Sequence, residues 1–381
     1  MILESQKHLF DLSDGESYFN AAYLTPLTKE QVRIGKQALD CGGQIGRIAP
    51  ANFFDTTERL RGRLADLVGA SSEHIALVPS ASYGVSTAAK NISLKPGSVV
   101  LTLADQFPSN VYPWQRAAEQ VGAVVEAVAC PADYDWTAAL LARIHALGER
   151  VAVAALPHVH WSNGVMLDLF AIKQALEAVG GKLVLDLTQS MGAVPLNLGT
   201  LAPAFAVIAA YKWCMGPYAT GFLYVHADHW QGVPLEENWI NRSGSEDFSG
   251  LANYTPDYQP GARRFDMGER SNFMLNPVFL EGVEQLLRWG VANVSETLEQ
   301  INARLARLTE SYGFVSVPAA HRSPNILAIH LGEQAGDVLK ALQAAGIHAS
   351  VRGYNLRIAP HLWVERRDEE KLGKLLSNFT A

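Results

Sequence analysis

Lys212 interrupts an apolar run, FAVIAAYKWCMGPYATGFLYV (205–225), where a cation is costly unless it has chemistry or a partner to meet. Asp186 sits in the same predicament inside KLVLDLTQSMGAVPLN, a carboxylate within an apolar strand that demands a cation or hydrogen-bond donors. Three further stretches end apolar runs with groups able to hold a ligand. In LVPSASYGVSTAAK, Ser80, Ala81, Ser82 and Gly84 open a helix whose bare amides and positive dipole end suit a phosphate, although serine capping alone would account for the pattern. In LADQFPSNVYPW, Phe107 can cover a flat ligand, with Asn110 three residues on. In ALPHVHWSNG, His158 and His160 share a strand face but have no third ligand nearby, so a metal site is not expected.

These residues need elements to bring them together. EHIALVPS, SVVLTLAD, AVVEAVAC, RVAVAALPHV, KLVLDLTQ, AFAVIAAYK and TGFLYVH read as short strands, continuous in apolar character rather than alternating. Helix-period stretches separate them, among them TTERLRGRLADLVGA and DLFAIKQALEAVGG. Continuous apolar strands between helices predict an α/β fold, a mainly parallel central sheet with helices on both faces. Ligands in such sheets bind beyond the carboxyl ends of the strands, where the residues above fall. The polar, Gly/Pro/aromatic stretch QGVPLEENWINRSGSEDFSGLANYTPDYQPGARR breaks the pattern, and the helices and short strands after it predict a smaller α+β domain. The expected division is an N-terminal arm (1–20) packing with the small domain, a large domain (21–255) and a small C-terminal domain (256–381).

Composition excludes several classes of function. With 381 residues, 48% of them hydrophobic, the chain can build a sizeable core without staples. Its three cysteines, Cys41, Cys130 and Cys214, are odd in number and irregularly spaced, against both a disulfide framework and a zinc cluster. A net charge of -7 offers no basic field for nucleic acid. No signal pattern opens the sequence and no apolar run is long enough to span a membrane, so a cytoplasmic protein is expected.

An acid and a lysine at neighbouring strand ends, a phosphate-suited helix start and an aromatic plate together meet the needs of pyridoxal 5'-phosphate (PLP). The chain resembles the class V aminotransferases of the fold-type I PLP-dependent superfamily, which includes kynureninases, cysteine desulfurases and isopenicillin N epimerase-like proteins. DLTQSMGAVPLNL joined to AAYKWCMGP carries the most specific likeness, and HVHWSNG, FPSN and NLRIAPHLW follow kynureninase and epimerase segments in order. The resemblance implies that Lys212 holds the cofactor as an imine and later serves as base, and that Asp186 keeps the pyridine nitrogen protonated. By the same likeness Gln189 meets the ring oxygen and Phe107 stacks on the ring. Ala81, Ser82 and Tyr211 meet the phosphate, and Asn110 joins the cofactor contacts. Arg357 would clamp the substrate carboxylate, and His160 would line the substrate pocket.

Departures from the family pattern bear on the reaction. Kynureninases carry aspartate and histidine where this chain has Asn110 and Gln189, and His160 stands where many relatives have asparagine. No cysteine follows Cys214, against persulfide chemistry. The family's glycine-threonine-proline element, which reaches the neighbouring subunit's phosphate, is replaced by MGERSNF. Glu269 and Arg270 are expected to pair at a dimer interface, or Arg270 and Ser271 to meet that phosphate, with Trp239 as a further contact. The implied function is an enzyme acting on an α-amino acid, by transamination or kynureninase-like side-chain cleavage, as a homodimer with shared active sites. Epimerisation or carbon-sulfur lysis is the alternative, and a non-catalytic cofactor-binding protein the third reading.

Overall fold

The computed structural model describes residues 1–379. Its strands are β1 (Ser17–Tyr18), β2 (Ile75–Val78), β3 (Val99–Leu103), β4 (Val124–Val128), β5 (Val151–Pro157), β6 (Lys182–Asp186), β7 (Phe205–Ala209), β8 (Gly221–Val225), β9 (Leu327–His330), β10 (Ile347–His348), β11 (Ser350–Arg352) and β12 (Asn355–Ile358). The seven apolar runs of the first two-thirds of the chain form one sheet in the order β2-β8-β7-β6-β5-β3-β4. Neighbours from β4 to β7 run parallel, whereas β8 is antiparallel to both β7 and β2. Every residue of β2, β3, β7 and β8 is buried, which is why these strands carry no polar alternation.

Each face of the sheet has its own apolar layer. One contains Val78, Val85, Val100, Trp114, Val207 and Leu223. The other runs without a break from Phe10 and Phe19 through Leu64, Leu101, Leu156, Leu185 and Ile208 to Val283, Leu298, Ile358 and Leu376. The helix Ala81–Asn91 lies on β7 with Gly84 at the contact. A Cβ there would stand 2.4 Å from Val207 Cγ2, so only glycine lets the helix start come this close to the sheet.

After the helices Leu275–Trp289 and Val291–Glu310, the chain builds an antiparallel sheet of order β11-β12-β9. Its register sorts the side chains cleanly. Val351, Leu356, Ile358, Leu327 and Ile329 share one face, and Ser350, Arg352, Asn355, Arg357, Ala328 and His330 share the other. The N-terminal segment binds this region: β1 pairs in parallel with β10, Asn20 bridges Ala359, and Trp363 Nε1 donates to the Tyr18 carbonyl at 2.7 Å.

The long segment between β8 and the helix at Leu275 is pinned from beneath by Asp266. Arg61 donates to both of its oxygens at 3.0 and 2.7 Å, and the Leu77 amide reaches Oδ1 at 2.6 Å. Neither side chain of the Arg61–Asp266 pair is exposed. No helix among the described residues is long and apolar enough to cross a membrane.

Candidate active site

The carboxyl ends of β2, β3, β5, β6 and β7 open onto a cavity of about 350 Å3, with Ser80, Ala81, Ser82, Phe107, Asp186, Gln189, Tyr211 and Lys212 on its wall. Each is delivered by a strand end. Asp186 closes β6, and its Oδ1 accepts the Thr188 amide at 3.0 Å. Burial pushes its carboxyl pKa up, against the pull of Thr188 and Lys212. Thr188 in turn accepts the Ala209 amide on its hydroxyl at 3.1 Å, tying the acid's loop to the end of β7.

Lys212 follows β7 in a tight turn and is 8% exposed. Burial, aided by Arg357 and Arg352 and opposed by Asp186, lowers its pKa to about 8. Its Nζ lies 5.5 Å from the ring centroids of Phe107 and of Tyr211. Phe107 is held edge-on by Trp161, with centroids 5.6 Å apart. Burial raises the Tyr211 hydroxyl's pKa, so it remains a neutral donor.

Ser80 caps the helix Ala81–Asn91 by accepting the Tyr83 amide, and its Oγ lies 2.9 Å from that of Ser82. The amides of Ala81 and Ser82 precede the first intrahelical bond and both residues line the cavity, so the helix start brings donors and a dipole end to it. Gln189 is partly committed, since its Nε2 donates to the Ala22 carbonyl and its Oε1 accepts from the Trp213 indole, both at 3.0 Å. One amide hydrogen remains.

Arg357 is 1% exposed and stands behind Trp161, donating from Nη1 to its carbonyl at 2.7 Å. Its Nε has no partner, and burial, followed by the charge of Arg352, pulls its pKa down to about 9. Among the described residues no carboxylate pairs with Arg357 or Arg352.

Besides Arg357, five expected contacts are not on this wall. Asn110, which ends the short turn Pro108–Asn110, is fully buried with both ends of its amide unpaired and does not line the cavity. His160 packs on Trp136 and meets Asn163 at 3.0 Å, and burial lowers its pKa to about 4. Arg270 pairs within its own chain with Asp266 at 3.1 Å and Glu58 at 3.3 Å, in place of Glu269. Ser271 donates to the Phe53 carbonyl, and Trp239 packs against Phe53 and Phe248. Sequence reasoning missed Gln106, Trp161, Thr188 and Tyr218 on the wall, and Arg352 behind it. All four wall residues fall in the stretches around the strand ends, but nothing in their spacing marks them. Among the described residues no group of three histidine, cysteine or acidic side chains is arranged to hold a metal ion.

Comparison with known proteins agrees with this architecture. The family model described as aminotransferase class-V matches residues 49–357. The uncharacterized aminotransferase YcbU of Bacillus subtilis is 23% identical over 312 residues, 81% of this chain and 80% of that one. A kynureninase of Geobacillus thermodenitrificans is 25% identical over 332 residues, covering 81% and 74% of the two chains. Among solved structures, a variant of C-DES with glycine covalently linked to its PLP cofactor superposes with a TM-score of 0.88 at 18% identity, over 98% of this chain and 99% of that one. The chain belongs to the class V aminotransferase family. It is a PLP-dependent enzyme of fold type I, and the residues on the cavity wall fit that cofactor: a buried acid, a lysine of lowered pKa and a helix start with free amides.

Proposed function

We propose that this enzyme transfers the amino group of an α-amino acid to a 2-oxo acid. The observation that carries the reading is that Lys212 is the only basic side chain on the cavity wall among the described residues. A single base that takes a proton from the α-carbon and returns it suffices for amino transfer. Side-chain cleavage needs a second group to ionise or protonate the departing fragment, and epimerisation needs a proton donor on the opposite face. Tyr211, held neutral by burial, is a poor second base, and in this reading its hydroxyl is engaged by the cofactor phosphate instead of donating to the substrate.

In this reading Lys212 attaches the cofactor and Asp186 holds the proton on its ring nitrogen. Gln189 offers its remaining amide hydrogen to the ring oxygen, and Phe107 covers the ring. The Ala81 and Ser82 amides, with the Ser82 and Tyr211 hydroxyls, hold the phosphate. Bound PLP supplies an electron-accepting ring for the pair left when the α-proton departs. Arg357, buried and without an acid, takes the substrate's α-carboxylate on its planar fork. A two-fold dimer belongs to the same reading. Support for it comes from Trp239 and Tyr254, which are 38% and 94% exposed on the long aromatic segment.

The test joins chemistry to assembly. Borohydride reduction of the protein with PLP should fix mass on Lys212, and amino acids supplied with a 2-oxo acid should yield the exchanged pair. Light scattering on the assayed sample should read a dimer. An adduct on another lysine defeats the cofactor assignment. Release of alanine from L-kynurenine, or of cysteine persulfide from cystine, without exchange reassigns the reaction to cleavage, and a fully active monomer removes the dimer.

A further inference from the structure

The small sheet places two arginines behind Trp161 of the cavity wall, and amino transfer as described uses one. Arg352 and Arg357 lie on the polar face of the β11–β12 hairpin: Arg357 is the register partner of Ser350, and Arg352 is two residues beyond. Diagonal neighbours of this kind are about 7 to 8 Å apart at the backbone, within joint reach of one small molecule for side chains of this length. The Arg352 guanidinium is 5.9 Å from the ring centroid of Trp161, which lines the cavity, while Arg357 holds the carbonyl of the same residue. Arg352 spends one donor on the Val351 carbonyl at 2.9 Å, leaving the rest of its fork unengaged by any acid among the described residues.

Charge on and behind the wall is unbalanced. Asp186 is the only carboxylate on the wall among the described residues, against Lys212 and the two guanidiniums behind Trp161. The field of both arginines reaches the lysine. An ordinary α-amino acid brings one carboxylate, which satisfies one arginine. A half-buried guanidinium pressed against the wall with no acid to meet is the counterpart of a second anion.

We infer that Arg352 is a specificity-determining residue that receives an anionic group on the substrate's side chain, so that the enzyme acts on short dicarboxylic amino acids. The inference rests on the reading of Arg357 and Lys212 above and names the substrate class of that site. Trp161 acts with it as a positioning residue, its ring and carbonyl spacing the two guanidiniums.

The experiment compares L-aspartate and L-glutamate with their neutral isosteres L-asparagine and L-glutamine, and with L-kynurenine, in the PLP-loaded protein and in Arg352→Gln and Arg352→Lys. Losing one charge-assisted, two-point contact corresponds to about ten- to a hundredfold in affinity. The wild-type kcat/KM should therefore favour the acidic member of a pair, and Arg352→Gln should reduce that ratio by about this factor, chiefly through KM. Arg352→Lys should recover part of the preference, since it restores charge without the fork. Equal use of acidic and neutral isosteres, a higher kcat/KM on L-kynurenine, or an unchanged ratio in Arg352→Gln overturns the inference while leaving the cofactor assignment standing. Mass on Lys212 after borohydride is read in every variant. Its absence from the wild type overturns the underlying reading and this inference with it, and its presence in Arg352→Gln shows that the variant is folded.

Discussion

Burial is the main influence that suits Lys212 to the nucleophile's part proposed for it. An ordinary lysine is almost wholly protonated near neutrality, whereas burial, with Arg357 and Arg352 nearby, brings this one to about 8. Only the neutral amine attacks an aldehyde, so the apoprotein should capture PLP faster as pH rises, with the inflection near 8 rather than near 10.5. Stopped-flow absorbance between about pH 6.5 and 9.5 reads this directly, and a flat profile through 8 would contradict the lowered pKa. The sign for stability is the reverse of a paired lysine's. The buried ammonium disfavours folding below about pH 8, and that penalty fades as pH rises from the folded value toward the unfolded one. Lys212 and Asp186 were legible in the sequence because an ionisable group inside a continuous apolar run is an anomaly at any resolution of reading. Trp161, Gln106 and Tyr218 were not, since they reach the cavity from loops whose convergence no local spacing encodes. Asn110 and His160 misled for the opposite reason: they sit beside wall residues in sequence, but their side chains turn into the protein.

At the scale of elements, the helix Ala81–Asn91 converts sheet packing into ligand geometry. Its N-terminus meets the cavity because Gly84 lets the helix approach Val207 more closely than any side chain would allow. Gly84→Ala would bring its Cβ within 2.4 Å of Val207 Cγ2, a stiff β-branched side chain that cannot swing aside, so the helix must move. Overpacking of about 1–3 kcal/mol opposes the roughly 1 kcal/mol that alanine contributes to helix formation, leaving a modest net effect on stability. The larger effect falls on the amides of Ala81 and Ser82. The variant should lose affinity for PLP while its affinity for pyridoxal, which lacks the phosphate, changes less. Spectral titration with the two compounds separates the outcomes, and equal losses for both would deny the helix start a role in phosphate binding. The seven strands of the large sheet were readable because doubly buried strands appear as unbroken apolar runs. The reversed direction of β8 was not, since an apolar run carries no sign of polarity, and the two-residue strands β1 and β10 are too short to leave a pattern.

For the whole molecule, the question is whether the two sheets behave as one body, because the proposed site takes its lysine from one and its arginines from the other. Several links cross between them: Arg357 to the Trp161 carbonyl at 2.7 Å, Asn325 Nδ2 to the Gln189 carbonyl at 2.8 Å, and the Ser323 amide to the Gly164 carbonyl at 2.8 Å. The N-terminal segment runs between the two, its Ala22 carbonyl accepting Gln189 while Ala21 and Phe19 exchange backbone bonds with Ala359. Beneath these bonds one apolar cluster extends unbroken from Phe10 to Leu376, where separable domains would show two cores joined by a polar seam. Unfolding the small sheet alone would expose that shared surface, so the chain should melt in a single transition despite its length. Phe19, fully buried within the shared layer, is the sharpest probe. Phe19→Ala should cost about 3–5 kcal/mol and lower the melting temperature of the whole molecule without splitting the transition. Calorimetry of the apoprotein, at a concentration where light scattering reports one oligomeric state, checks both points. Two resolved transitions in the wild type would show that the sheets unfold separately, and would make the spacing of Lys212 from Arg357 a variable of the reaction rather than a constant of the fold.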